Sequence, residues 1–363
     1  DIPLKTKAKK DSFLYLTKKK SYKLPTPPQM NNHGNYITSL GKLCSWLGQY
    51  AENLGVEIYP GFAASEILFN SDGSVSGVAT NDMGILKDGN KGPNYEPGIE
   101  LLAKQTIFSE GCRGHLGKIL MNKFDLNKNN QNQTYAIGIK ELWEIDPKNH
   151  NAGEIVHTTG WPLSSDTYGG SFLYHFDKNL VSIGFVVGLD YKNPYLSPYE
   201  EFQQFKHHPD IIKHLKGGRR ISYGARALNE GGVQSLPKLT FPGGLLVGCE
   251  AGFLNVPKIK GTHLAIKSGI IAAQTIIQNI EKEKELKDFS KNIKDSWLFK
   301  ELYSVRNIRP SFKWGFWKAL AYSAVDTYLF RGRAPWTLKH EHSDHEALEL
   351  SLIHISEPTR LGF

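Results

Sequence analysis

Three short stretches of this chain combine residue types and spacing that chemistry could use. The first runs from Gly243 to Ile276, GGLLVGCEAGFLNVPKIKGTHLAIKSGIIAAQTI. Leu245, Leu246 and Val247 form a brief apolar run, and Gly248 and Gly252 let the backbone turn tightly beside a ligand. Lys260-Gly261-Thr262 then opens a helix predicted to continue through Ile277. The first N–H groups of a helix lack internal partners and sit at the positive end of its dipole. A strand feeding such a start can hold an electron-rich ring or a phosphate, and it can equally be an ordinary corner of an α/β core. The second stretch is Glu110-Gly111, where an apolar strand runs into a glycine turn. The third is Tyr168-Gly169-Gly170-Ser171. Paired glycines let a flat ring lie on the main chain, which offers N–H and C=O to its oxygens; they also mark strand bulges. The flanking Phe172, Leu173 and Tyr174 would either wall an apolar channel or fill core.

The elements that must position these groups are legible in outline. Ile37 to Leu54 predicts an amphipathic helix with Leu40, Leu43, Leu47, Tyr50 and Leu54 on one side and Gly55 as its stop. VEIYPG predicts a strand, and SEILFN and SVSGVAT flank Ser71-Asp72-Gly73 as a hairpin. Lys87 to Pro97 predicts a polar loop, Leu101 to Gly111 a buried strand, and His115 to Lys123 a helix. Tyr135 to Phe185 alternates apolar and polar residues and predicts several antiparallel strands. Tyr199 to Lys216, Trp297 to Arg306 and Trp314 to Phe330 predict helices. No internal repeat is visible.

The 363 residues suffice for two or three interlocked domains. The net charge of +8 includes the cluster Lys5, Lys7, Lys9 and Lys10, then Lys18 to Lys20, which is either solvated surface or a contact for anionic lipid or an acidic partner. No aromatic-interleaved basic stripe or zinc-finger spacing points to nucleic acid. Cys44, Cys112 and Cys249 lie far apart without a C-x-x-C pair, which fits a reducing compartment and no cysteine-ligated metal. The chain opens Asp1-Ile-Pro without a signal or transit peptide, and the line after His345 has no strand or helix logic. Both ends read as cut, and residues 345–363 as a tail of artefactual origin.

Two strand-glycine turns beside an antiparallel middle section are what flavoprotein oxidoreductases with an inserted substrate sheet show. Longer strings narrow the match: MNNHGNYI at Met30–Ile37, ATNDMGI at Ala79–Ile85, KELW at Lys140–Trp143 and TYGGSFLYH at Thr167–His175. They continue with VVGLDYKNPYLSP at Val186–Pro198, YGARALNEGG at Tyr223–Gly232, NVPKIKGTH at Asn255–His263 and ELYSVRNIRPS at Glu301–Ser311. In this order, across residues 12 to 344, they resemble the electron transfer flavoprotein–ubiquinone oxidoreductase family. The resemblance implies an α/β (α+β) flavoprotein fold with an inserted antiparallel-sheet quinone domain. It implies FAD, ubiquinone and a [4Fe-4S] cluster, a monotopic place on the matrix side of the mitochondrial inner membrane, and electrons received from reduced electron transfer flavoprotein. The family's first G-x-G-x-x-G turn would precede Asp1 and its cluster cysteines would follow residue 344, so FAD should bind this chain poorly and no cluster should form.

The implied domains are 1–125 and 236–290 for FAD, 126–235 for ubiquinone, and 291–344 for a membrane-associated helical region. The implied cofactor contacts are Glu110, Gly111, Asn229, Gly248, Cys249, Gly252, Gly261 and Thr262. Related flavoproteins carry aspartate where Cys249 stands, and Glu250 is the carboxylate that would substitute. Amides at Gly261 and Thr262 would stabilise negative charge on a reduced flavin, and Asn229 would set its potential or else merely form a turn beside Gly231-Gly232. Gly169 and Gly170 are the implied ubiquinone pair. No apolar run is long enough to span a bilayer. Trp314, Trp317, Ala321, Ala324 and Tyr328 share a helical face interrupted by Lys313, Lys318 and Asp326, which would either lie in the headgroup layer or pack inward. No paired carboxylates, serine triad or metal box competes, so electron transfer rather than hydrolysis is expected. The alternatives are a geranylgeranyl-reductase-like flavoprotein, which would share the Gly248 loop, and an inactive membrane-associating remnant.

Overall fold

The computed structural model describes residues 1–282, 284–340 and 342–348. The chain forms two units, one from Asp1–Leu43, Asn132–Gly231 and the described residues from Asn307 onward, the other from Cys44–Gln131 and Gly232–Arg306.

The first unit is built on seven strands: β1 (Lys10–Leu16), β2 (Ser21–Leu24), β3 (Tyr135–Glu144), β4 (Glu154–Gly160), β5 (Gly169–Phe176), β6 (Leu180–Gly188) and β7 (Arg219–Asn229). Their spatial order is β7-β3-β6-β5-β4-β1-β2. Every pairing is antiparallel except β1 with β4. Strand side chains alternate between faces, so the buried Val181, Ile183, Phe185 and Val187 of β6 all meet one core. That core is closed by Phe202 and Phe205 of helix α1 (Pro198–Lys206) and Ile211 and Leu215 of α2 (Pro209–Leu215). Burying each such side chain contributes roughly 1.5–3 kcal/mol. Ser197 starts α1 by accepting the Glu200 N–H, and Pro209 separates the two helices because proline fits only at a first turn.

The second unit pairs Thr106–Phe108 with Gly244–Leu246 in parallel, and Thr240–Phe241 joins antiparallel beside them. Phe108, Phe241, Leu245 and Leu246 pack with Leu116 and Leu120 of the helix His115–Lys123 and with Leu264, Ile271 and Ala272 of the helix Thr262–Asn279. The mixed α/β architecture with an antiparallel-sheet unit is the one expected.

Several local expectations are corrected. VEIYPG forms no strand, and the polar loop at Lys87–Pro97 contains a strand, Lys91–Glu96, paired with Met83–Ile85. The buried strand expected over Leu101–Gly111 is two strands, Glu100–Leu102 and Thr106–Phe108, in different sheets. Residues 1–43 belong to the first unit because β1 pairs with β4, some 140 residues away in sequence, which no local pattern reveals. Gly315, at φ +83°, interrupts the predicted helix at Trp314–Phe330: Phe312–Trp314 is a 3₁₀ turn, α3 runs Phe316–Ala324, and a π turn follows at Val325–Leu329. The expected tail lies outside the described residues from residue 349 onward.

Candidate functional site

In the second unit the strand Gly244–Leu246 ends in a loop that turns back into the helix Thr262–Asn279. Gly248 sits at φ +60° and Gly252 at φ +88°, conformations that a side chain would strain. The Gly248 N–H donates to Ser268 Oγ at 3.0 Å, and its carbonyl accepts the Phe253 N–H. Gly261 is the N-cap and has no side-chain oxygen to offer, so Thr262 and the next residues begin the helix uncapped. Thr262 is exposed, and Cys249 is half-buried and outside any disulfide.

Glu301, a residue the sequence did not single out, ties this loop down. It accepts from Asn255 Nδ2 at 2.9 Å, Lys258 Nζ at 3.0 Å and His263 Nε2 at 2.7 Å. Burial pushes the Glu301 carboxyl upward, but the bonds from His263, Lys258 and Asn255 outweigh it and hold it at about 2. His263 also stacks on Trp297 at 9° and 5.9 Å between centroids, so it buttresses the helix start.

Glu110 caps the helix His115–Lys123 from a distance: Oε2 accepts the Gly117 N–H at 2.8 Å and Oε1 lies 3.1 Å from His115 Nδ1. Gly111, at φ +100°, makes the turn between them. Glu250 does not face outward from its loop. It is 4% exposed and presses on the same helix start, where a Cβ at Gly117 would overlap its carboxylate. Burial and the neighbouring Glu110 charge push Glu250 up to about 7, and its Oε2 has no hydrogen-bond partner. The loop therefore carries its carboxylate into the protein interior, against the helix start at Gly117.

Gly169, Gly170 and Asn229 belong to the first unit. Gly169 and Gly170 open β5 opposite Val187 and Val186 of β6, in a ladder without a bulge. The missing Cβ atoms are accounted for by packing: one at Gly169 would overlap the Val186 carbonyl and Leu163, and one at Gly170 would lie 2.6 Å from the Thr158 carbonyl. The bulge alternative is thus replaced by close strand approach. Leu173 is core, while Phe172 and Tyr174 stack at 4.8 Å. Asn229 is the buried last residue of β7.

Trp314, Trp317, Ala321, Ala324 and Tyr328 are all exposed, joined by Val325 and Leu329. Asp326 does not interrupt this face, because it is 1% exposed and points inward. Trp317 packs against Tyr15 of β1 at 5.0 Å, and Trp314 meets Tyr322 edge-on. No helix among the described residues is long and apolar enough to cross a membrane.

Glu154, His175 and His214 bring donor atoms within 4.8 Å of one another. His175 Nδ1 accepts the Asn151 N–H at 3.2 Å, so its hydrogen sits on Nε2 and points to His214 Nδ1 at 3.0 Å. His175 and His214 are thus hydrogen-bonded to each other, and Glu154 is paired to Lys10 at 2.7 Å.

The fold resembles that of flavin-dependent enzymes. A geranylgeranyl bacteriochlorophyll reductase-like protein from Thermoplasma acidophilum superposes with a TM-score of 0.58 at 16% identity, covering 94% of this chain and 73% of that one. A flavin-dependent brominase gives 0.57 at 14% identity, covering 90% and 78%. This is a mixed α/β fold class shared with flavoproteins. Residues 135–228 match the model of the ETF-QO ubiquinone-binding domain, which coincides with strands β3 to β7 of the first unit. Human mitochondrial electron transfer flavoprotein-ubiquinone oxidoreductase is 57% identical over 96% of this chain. The chain belongs to the electron transfer flavoprotein–ubiquinone oxidoreductase family, and it spans 58% of the human relative's length.

Proposed function

We propose that this protein accepts electrons from reduced electron transfer flavoprotein and delivers them to ubiquinone, using FAD. The observation that carries this reading is the match of residues 135–228 to a ubiquinone-binding domain within a chain 57% identical to a named oxidoreductase of that activity. FAD supplies the redox chemistry when bound; the protein binds, orients and shields. The second unit supports such a group: Gly248 and Gly252 take positive φ in the loop, and no side chain caps the helix start at Gly261–Thr262, which leaves its amides for an electron-rich group. Glu301 holds that loop through three bonds. Asn229 is the polar residue proposed to tune the potential, and Glu110 and Gly111 shape the neighbouring helix start. Cys249 lies on the same turn.

Gly169 and Gly170 are the proposed quinone contacts because they lie within the segment 135–228 that matches a ubiquinone-binding domain. A [4Fe-4S] cluster takes four cysteine thiolates, and three scattered cysteines do not fit one. No step is assigned to it in this chain. The exposed Trp314, Trp317, Ala321 and Tyr328 support a monotopic seat on the matrix side of the mitochondrial inner membrane, where a long-tailed quinone could enter sideways. The proposed domains are 1–125 and 236–290 for FAD, 126–235 for ubiquinone and 291–344 for the membrane-associated region. Anaerobic mixing of the protein, extended to the length of its relatives and loaded with its prosthetic groups, with reduced electron transfer flavoprotein and a soluble ubiquinone analogue tests the reading. Ubiquinol formation is expected, and a donor that stays reduced would refute it.

A further inference from the structure

Four residues from separate stretches of the first unit meet in its interior. Arg309 is 6% exposed and Glu230 3%. Arg309 Nε donates to Glu230 Oε2 at 2.8 Å and its Nη2 to Asp190 Oδ2 at 3.0 Å. The same guanidinium lies 4.1 Å from the centroid of the Tyr168 ring, which Phe312 meets edge-on at 4.7 Å. Burial opposes the charge on Arg309, but Glu230 and Asp190 outweigh it and keep the guanidinium protonated.

The places these partners occupy matter more than the charges alone. Tyr168 directly precedes Gly169, and its carbonyl accepts the Gly188 N–H at 2.9 Å, which locks the entrance of β5 to the end of β6. A Cβ at Gly188 would lie 3.1 Å from Arg309 Nη2 and 3.4 Å from Tyr168 Cβ, so the guanidinium is wedged against that crossing. Glu230 directly follows Asn229, and its own N–H donates to the Thr134 carbonyl at 2.6 Å. One side chain therefore holds both the start of the Gly169–Gly170 stretch and the strand end that carries Asn229.

Burying a guanidinium with the Glu230 carboxylate carries a desolvation cost that apolar side chains of similar volume would avoid. What such a cluster supplies is direction. The planar Arg fork can bond two carboxylates and stack on a ring at once, whereas a lysine ammonium is a point charge that can do neither with the same geometry. We propose that Arg309 is a positioning residue for quinone binding: it fixes the main chain of Tyr168–Gly170 against the Asn229–Gly231 strand end. This inference rests on the reading of Gly169 and Gly170 as the quinone contacts.

The test is a titration of the protein with ubiquinone-1, followed by tryptophan fluorescence, for wild type, Arg309→Lys and the double variant Arg309→Met, Glu230→Met. The double variant removes the buried ion pair and leaves Asp190, whose side chain is 36% accessible, to water. Both variants are expected to bind ubiquinone-1 about tenfold more weakly, as the main chain of Tyr168–Gly170 loses the group that fixes it. Their melting temperatures should stay within a few degrees of wild type. Wild-type affinity in both variants overturns the role of Arg309 while leaving the quinone site intact. A loss of binding that merely tracks loss of the melting transition assigns the cluster to stability and also overturns the proposal. Absence of saturable binding by wild type removes the quinone reading itself, and this inference with it.

Discussion

Glu250→Gln should make the protein more stable at alkaline pH and leave it unchanged in acid. Gln has the same shape, can accept the Glu110 backbone N–H as Glu250 does, and can donate its amide to the Glu110 carboxylate. What it removes is a titration. Glu250 is held at about 7 against an ordinary value of 4.5, so the folded protein keeps a proton that the unfolded chain releases. Stability therefore falls as pH rises from about 4.5 to about 7, and the full cost persists above that. A shift of this size corresponds to roughly 3 kcal/mol at about 1.4 kcal/mol per pH unit. At 4% exposure little of it is screened by solvent, although relaxation of the Gly248 loop could halve it. The expected gain at pH 8 is then about 1.5–3 kcal/mol, or roughly 3–12 °C in melting temperature at about 2–4 °C per kcal/mol. Thermal melts of both proteins at half-unit steps from pH 4.5 to 8.5 provide the assay. Curves that run parallel across the whole range would refute the reasoning, because a buried group titrating near neutrality cannot be removed without changing the slope.

Three further outcomes follow from the same geometry. Gly117→Ala should cost about 1–3 kcal/mol by overpacking against the Glu250 carboxylate. Adding Glu250→Ser should recover most of that loss in a denaturant titration, and additive losses would contradict the contact. Glu301→Ala should destabilise by about 2 kcal/mol and open the loop 255–261 to protease, since three donors lose one charged acceptor. With Glu301 held near 2 in the folded state, its contribution is present above pH 4.5 and lost as pH falls toward 2, so the wild-type and variant melts should converge in acid. Trp314→Glu with Trp317→Glu should abolish sedimentation with liposomes, as two carboxylates replace aromatic area exposed at 41% and 57%; unchanged sedimentation would remove the membrane reading.

The two strand-glycine turns, the helix after Lys260 and the antiparallel middle section were legible because their signals are local: apolar runs, a period of two, and glycines at turns. The pairing of β1 with β4 was not, because a parallel ladder between distant segments leaves no trace in either one. Leu40, Leu47, Tyr50 and Leu54 show the helical period expected of a buried face, yet all four are exposed in this structure. Among the site residues, Gly248, Gly252 and Gly261 announce themselves by type. Glu301 and Arg309 do not, since an isolated charge in a helix reads as surface until a long-range partner is known. Glu250 was weighed as a cofactor contact because it follows the glycine turn, and only packing against Gly117 shows which way it points.

The most direct test of the central claim is photo-crosslinking of the protein with an azido-ubiquinone analogue, followed by peptide mapping. The account predicts adducts confined to the segment Thr167–His175, displaced by unlabelled ubiquinone in proportion to its concentration. Label scattered over the surface, or label at that segment that unlabelled ubiquinone fails to displace, would contradict it.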